Sequence, residues 1–337
     1  MSEIIQKQFE KFHEKIKLKR FDENKILKDK RDIITNKLRD GLKKKFKEMG
    51  ESAPRWEFFN QGSYDIGTGI KPLNSDYDID IGLRFFIDKD DYKPLEVKKW
   101  VYDILNGHTK EVRIKEPCVT VQYQSNDEPA YHVDLAVYAV IENMFLSNSY
   151  YLARGKEHAS EENKFWEEAD PIRLSDELKS IFSDEEDKQY RRVIRYLKRW
   201  KDLKFSKDGN ATPAGIGITV AAYNWFSPEI SFFHGKPDDL AALKNFVGSI
   251  INKFTPRYNS EEDEYYYRLN VEVPVKPKKD IFYKMSDKQM LEFKTKLETL
   301  KEVLTQASNE TDPHEAAKIL AKQFGDDFPI PEKEDTA

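Results

Sequence analysis

Residues Tyr77 to Leu83 read Tyr-Asp-Ile-Asp-Ile-Gly-Leu. Side chains on a strand alternate between faces. As a strand, this run sends Asp78 and Asp80 to one side and Tyr77, Ile79, Ile81 and Leu83 to the other. The apolar side can be buried, which leaves two carboxylates held next to each other on a rigid element. Upstream, Gly62-Ser63 lies between an expected strand, Trp56 to Phe59, and polar residues able to start a helix. Free N–H groups at such a turn suit a phosphate. Carboxylates for Mg²⁺ beside donors for a triphosphate are the parts that nucleotidyl transfer requires.

Taken singly these signals are weak. A lone Asp-x-Asp is most often a solvated strand face, and a lone Gly-Ser pair a turn. Their order and separation are what make them specific. A third carboxylate, Asp134, is the only acid in the apolar run His132 to Val140, which reads as a buried strand. An unpaired buried carboxylate is costly, so Asp134 needs a partner, and a shared metal is the economical one. His132 falls on the same strand face as Asp134, and both a structural role and a hydrogen bond to a metal site are open to it.

These residues resemble a known family. Gln61-Gly62-Ser63 with Thr68, then Asp78-x-Asp80, then His132-Val133-Asp134-Leu135 resembles the polymerase-β-type nucleotidyltransferase core. More closely it is similar to the bacterial cyclic GMP–AMP synthase family, the cGAS/DncV-like nucleotidyltransferases. Lys164-Phe165-Trp166 with Asp170-Pro171 resembles a Trp…Asp-Pro segment that follows the third catalytic Asp. Arg195 to Asp202 resembles a nucleotide-contacting helix of the second domain, and the likeness runs from about Trp56 to Phe226. One departure stands out: relatives often place a nucleotide-contacting serine where this chain has Ala214-Gly215-Ile216-Gly217.

At 337 residues the chain has room for one large or two ordinary domains, and its net charge of −5 demands no nucleic-acid partner. The single cysteine, Cys118, excludes an internal disulfide framework and a Cys-based zinc site, and reads as a small core residue. With no signal peptide and no apolar run near about 18 residues, the chain is expected to be soluble and cytoplasmic. Met1 to Glu48 carries 16 Lys/Arg against 9 Asp/Glu. Its apolar residues Ile5, Phe9, Phe12, Ile16, Ile34, Leu38, Leu42 and Phe46 keep helical spacing. An amphipathic brace and a basic surface for RNA or DNA both fit; in the resembling family a long N-terminal helix backs the catalytic domain.

Pro94 to Leu105 reads as a helix, and Val112 to Ile114 and Val119 to Tyr123 as strands. Ser147 to Ser160 reads as a polar loop. From Leu174 the pattern is helical, with capping boxes expected at Ser183/Glu186 and Ser286/Gln289 and a helix start at Asp312-Pro313. Tyr190, Val193, Ile194, Leu197 and Trp200 form an apolar stripe, with Lys198 and Lys201 off it. A solvated lysine pair is the ordinary reading, whereas the resemblance places Lys198 on substrate phosphate, a task suited to an ammonium.

The expected architecture is an α+β, bilobed enzyme. It comprises an N-terminal helical brace (1–50), a nucleotidyltransferase core (51–174), an oligoadenylate-synthase-like helical domain (175–325) and a flexible tail (326–337). The resemblance implies two Mg²⁺, with Mn²⁺ able to substitute, held by Asp78, Asp80 and Asp134, and donor phosphates held by Gln61, Gly62, Ser63 and Lys198. It implies ATP and GTP as substrates, a cyclic di- or trinucleotide messenger in bacterial anti-phage signalling, and a separate effector that responds to it. It also raises a ubiquitin-ligase-like partner joined to the C-terminal Ala337, against which stands an ordinary frayed terminus. Linear oligonucleotide or RNA-tailing transfer is the alternative activity. A non-catalytic nucleotide sensor and a protein-modifying nucleotidyltransferase fit less well, the first because three carboxylates are intact and the second because a whole further domain is present.

Overall fold

The computed structural model describes residues 3–19, 25–74, 76–109, 111–123, 130–143, 147–206, 212–231, 234–260 and 263–333. Two helices open the chain, α1 (Glu3–Ile16) and α2 (Lys25–Glu48), followed by β1 (Trp56–Asn60), the short helix α3 (Gly62–Ile66) and β2 (Asp76–Phe85). Then come α4 (Pro94–Leu105), β3 (Glu111–Ile114), β4 (Val119–Tyr123), β5 (Ala130–Ile141), β6 (Ser149–Ala153) and β7 (Trp166–Ala169). The seven strands form one mixed sheet ordered β1-β2-β5-β4-β3, with β6 on β5 and β7 on β6. β5 is long enough to serve two neighbours along one edge: Tyr131 to Leu135 pair with β4, and Tyr138 to Ile141 pair with β6.

Alternation decides the faces. Ile79, Ile81, Leu83 and Phe85 of β2 and Val133, Leu135, Val137 and Ala139 of β5 are buried in one core with Ile34, Leu38, Leu42 and Phe46 of α2 and Val97, Trp100 and Val101 of α4. The even-numbered residues of both strands face the other way, and there Ala136, Tyr138 and Val140 form a small separate cluster with Tyr150.

The second half is helical: α5 (Pro171–Ser180), α6 (Asp184–Lys204), α7 (Gly215–Trp225), α8 (Asp239–Ile251), α9 (Asp287–Asn309) and α10 (Pro313–Phe324), with a hairpin of β8 (Thr255–Asn259) and β9 (Glu264–Arg268). Tyr190, Val193, Leu197 and Trp200 are fully buried in its core, as the stripe predicts.

Four expectations change. The N-terminal segment is two helices serving different cores: Ile5, Phe9, Phe12 and Ile16 of α1 join the helical half, whereas α2 covers the sheet. The stretch expected as a loop at 147–160 contributes β6, because Tyr150, Tyr151 and Leu152 suit a pleated, half-buried surface and β5 leaves an edge to pair with. Ser183 caps α6 without a side-chain hydrogen bond, while the Ser286/Gln289 capping box forms fully. Finally, the tail is docked rather than loose at its start. Phe328 is buried, its ring 5.1 Å from Phe9 and 5.4 Å from Phe12, and His314 Nδ1 lies 2.8 Å from the Pro331 carbonyl oxygen. One aromatic anchor offsets the polar composition that made the segment look unstructured. Ala337 lies outside the described residues.

Candidate active site

β2 and β5 run parallel in a register that sets Asp80 directly beside Asp134 and Asp78 beside His132. All four side chains leave the sheet on the face opposite the main core. Burial, then the neighbouring carboxylates, push the Asp78 and Asp80 carboxyls well above the usual range. Two acids that resist ionisation because they crowd each other in a low-dielectric cleft are poised for a cation.

Asp134 differs. Its Oδ1 accepts a hydrogen bond from the Thr120 hydroxyl, the residue opposite it on β4, and its Oδ2 lies 3.7 Å from Lys115 Nζ. Within the protein, the partners this carboxylate has are therefore a hydroxyl and an ammonium. His132 Nδ1 sits 2.9 Å from Asp76 Oδ1, at the strand's start. Among the described residues no three His, Cys, Asp or Glu side chains close into a metal cage. The Asp78/Asp80 pair does fit a hard divalent cation: it offers only carboxylate oxygens, and its own repulsion is what such a charge would relieve.

The turn upstream is built against the same carboxylates. Gln61 is extended, Gly62 has φ +71°, and α3 starts at Gly62. A Cβ on Gly62 would fall 2.0 Å from Asp80 Oδ2, so glycine alone fits both the left-handed backbone and the contact. Gln61 Oε1 accepts from the Tyr138 hydroxyl at 3.1 Å. The turn after α3 is closed by Thr68 N–H donating to the Ser63 carbonyl at 2.9 Å.

Helix α6 holds the loop that follows. Arg191 donates to the Ile66 carbonyl and Arg195 to the carbonyls of Gly67 and Gly69. Lys198 donates to Thr68 O at 3.2 Å and to Thr68 Oγ1 at 3.1 Å, and Arg199 to the Lys71 carbonyl at 2.8 Å. From the other side, Leu18 N–H bonds Gly69 O at 3.1 Å and Lys71 N–H bonds Ile16 O at 2.7 Å. His13 accepts from Arg195 at 2.9 Å; burial and that guanidinium drop its pKa to about 3, so it is neutral.

Sequence reasoning put Lys198 on the polar side of α6, and the structure corrects this. Its side chain is buried and its pKa falls to about 7, mainly through desolvation. Lys201 also lines the cleft, paired with Asp202 at 2.9 Å. The reason is that α6 lies between two partners, its apolar stripe against the helical core and its cationic stripe against loop carbonyls. Arg191, Arg195 and Arg199, spaced four apart, were the missed signal. Thr120, Lys115 and Tyr138 carried none, since strand register brings them in.

A cleft of about 530 Å³ runs between sheet and helices. Gln61, Gly62, Ser63, Asp78 and Asp80 line one wall, and Lys198, Lys201, Gly215, Ile216 and Thr219 the other. Asp134 is not on its lining; it stands behind Asp80. At the serine departure, a Cβ on Gly217 would strike the Phe282 ring at 2.3 Å, whereas one on Gly215 meets only Lys198 Cε at 3.6 Å.

A crowded carboxylate pair on a mixed sheet, a Gly-Ser turn pressed against it and a helical wall across a cleft are the arrangement that nucleotidyl transfer calls for. Residues 56–138 match the family model described as "Cyclic GMP-AMP synthase DncV-like, nucleotidyltransferase domain", a stretch that holds Gly62, Ser63, Asp78, Asp80 and Asp134. The fold as a whole is similar to Vibrio cholerae DncV cyclic AMP–GMP synthase, a prokaryotic cGAS homologue, at 19% identity and a TM-score of 0.66 over 94% of this chain and 93% of that one. The same enzyme with nonhydrolyzable GTP aligns at 20% identity and 0.67, again over 94% and 93%. With the linear intermediate 5′ pppA(3′,5′)pG it aligns at 20% and 0.63 over the same shares. No helix among the described residues is long and apolar enough to cross a membrane.

Proposed function

We propose that the chain is a cyclic-oligonucleotide synthase that joins nucleoside triphosphates in the cleft between residues 51–174 and 175–325. The observation that carries this reading is the contact between Gly62 and Asp80, which places a phosphate-suited turn against a carboxylate pair. Asp78 and Asp80 would hold divalent cations, Mg²⁺ or Mn²⁺, that neutralise charge on the α-phosphate and the leaving pyrophosphate. Asp134, steadied by Thr120 and Lys115, would complete the set once Lys115 releases it. The backbone N–H groups at Gly62-Ser63 and the Ser63 hydroxyl orient the donor's β- and γ-phosphates, with Gln61 locked by Tyr138. Lys198 offers one more cation across the cleft.

One transfer yields a linear dinucleotide, and a second with the roles exchanged closes a ring. A cyclic GMP–AMP-like product from ATP and GTP is supported by the likeness to an enzyme of that printed name. A cytoplasmic messenger role in anti-phage defence through a separate effector is the wider part of this proposal and rests on the sequence resemblance alone. A ligase-like partner acting on Ala337 belongs to the same reading. The test is to incubate purified protein with all four NTPs and Mg²⁺ or Mn²⁺, digest with phosphatase and identify the surviving product by mass spectrometry. A phosphatase-resistant product of cyclic mass is expected; only phosphatase-sensitive ends would establish linear transfer instead.

A further inference from the structure

Arg199 closes the row of α6 cations that grips the loop after Gly62-Ser63, and it also pairs with the chain's C-terminal segment. Its side chain is 3% exposed, its Nη2 donates to the Lys71 carbonyl at 2.8 Å, and its Nε lies 3.3 Å from Asp327 Oδ2. A buried guanidinium needs a counter-charge. Asp327 is the first of two acids that offset its desolvation, Asp202 being the second. Its Nε and Nη1 find no hydrogen-bond partner among the described residues, so the charge of Asp327 and the Nη2 bond to the Lys71 carbonyl are what hold the group in place.

Asp327 in turn is fixed independently of the cleft. It ends the single 3-10 turn Gly325–Asp327, and the next residue, Phe328, is buried against Phe9, Phe12 and Phe324. Lys15 Nζ donates to the Asp326 carbonyl at 2.8 Å and lies 3.4 Å from Asp327 Oδ1. The segment has aromatic and ionic anchors, and it presents one carboxylate to the one α6 cation that holds Lys71.

We propose that Asp327 and Arg199 are a positioning pair for the donor loop. Through them the docked C-terminal segment sets the Lys71 carbonyl, and with it the run Ile66 to Lys71 that carries Thr68 and backs Ser63. Neither residue touches the reacting atoms. The proposal rests on the reading that the Gly62-Ser63 turn holds donor phosphates, and its test separates the two.

Asp327→Asn keeps the side chain's shape and removes its charge at a position 28% exposed. Two readouts apply to the full chain. In hydrogen–deuterium exchange, amides of 66–71 should exchange at least about tenfold faster than in the parent, with those of β2 and β5 unchanged. In steady-state kinetics, KM for nucleotide should rise about tenfold while kcat changes far less, because a misplaced loop weakens binding before chemistry. Asp327→Glu, which restores the charge, should recover most of both, and Arg199→Lys, which keeps charge but loses the fork, should not. Parent-like exchange at 66–71 in Asp327→Asn would overturn the pairing, as would faster exchange spread evenly over the chain. Loosening of 66–71 with KM unchanged would uphold the coupling and overturn the phosphate role of the turn.

Discussion

The two walls of the cleft handle charge in opposite ways. On the sheet wall Asp78 and Asp80 are raised by burial and then by neighbouring carboxylates, Asp134 acting on both and Asp78 on Asp80. On the helix wall, Arg191, Arg195, Lys198 and Arg199 share one stripe of α6, yet each is given a backbone carbonyl to bond. The difference marks which wall awaits a ligand. Cations satisfied by carbonyls rigidify a loop, whereas acids left in conflict have their stabilising partner still to come. Lys198 belongs to both, since it bonds Thr68 and feels Asp80 across the gap.

The sharpest way to break this comparison is to remove an acid. Asp78→Ala and Asp80→Ala should each cut product formation by at least about 10³-fold, the several kcal/mol that metal-assisted charge stabilisation is worth. Asp134→Ala should match them if Asp134 joins the cation site, and near-normal turnover by mass spectrometry would leave it a structural residue bound to Thr120.

A second measurement uses stability alone. A carboxyl raised in the folded state keeps its proton over a pH range in which the unfolded chain has released it. Ionising it then costs the fold about 1.4 kcal/mol for each unit between the two pKa values. Without divalent ions the parent should lose stability as pH rises from about 4 towards the raised values. Asp80→Asn or saturating Mg²⁺ should flatten that loss. Melting curves in chelator across this range decide it, and an unchanged slope in Asp80→Asn would remove the conflict.

Lys198→Ala should lower nucleotide affinity or turnover about tenfold, equivalent to about 1.4 kcal/mol. Lys201→Ala, which loses a bond only to its neighbour Asp202, should stay within about 0.5 kcal/mol of the parent in stability. Equal kinetics for the two would return Lys198 to a purely structural role.

The smallest effect concerns His13. Its folded pKa is depressed, so the unfolded chain takes up protons first and stability falls as pH drops below about 6.5. At one unit below that value the parent should be about 1.2–1.4 kcal/mol less stable relative to His13→Gln than at pH 8, read by denaturant melts.

Much of the fold was legible because short-range periodicity carries it. Asp-Ile-Asp-Ile fixed which residues of β2 face the cleft, and Pro94 to Leu105 and Pro313 to Phe324 match the helices to the residue. The Gly62-Ser63 turn was legible for the same reason. What could not be read depends on pairing across long separations. Thr120 reaches Asp134 only through the antiparallel register of β4 on β5, and Lys115 only from the turn between β3 and β4, neither of which a local pattern encodes. The α6 arginines carried no reading because their partners are carbonyls, which have no sequence signature. Phe328 sat in a stretch whose composition pointed to disorder, and one buried ring outweighed it.

The grip of α6 on the donor loop also bears on modularity. The residues joined by Arg191 and Ile66 are 125 apart in the chain, and His13 and Arg195 are 182 apart. Contacts of that span form late and only between nearly complete halves. The sheet, excised as a cassette, would carry its acids on a folded scaffold but would lack the α6 bonds that hold the loop Ile66 to Lys71. The unit that can be transplanted or inherited intact is therefore the whole chain from α1 to Phe328. Recombination that swaps the helical half must bring matching carbonyl geometry with it, or the catalytic half arrives unassembled.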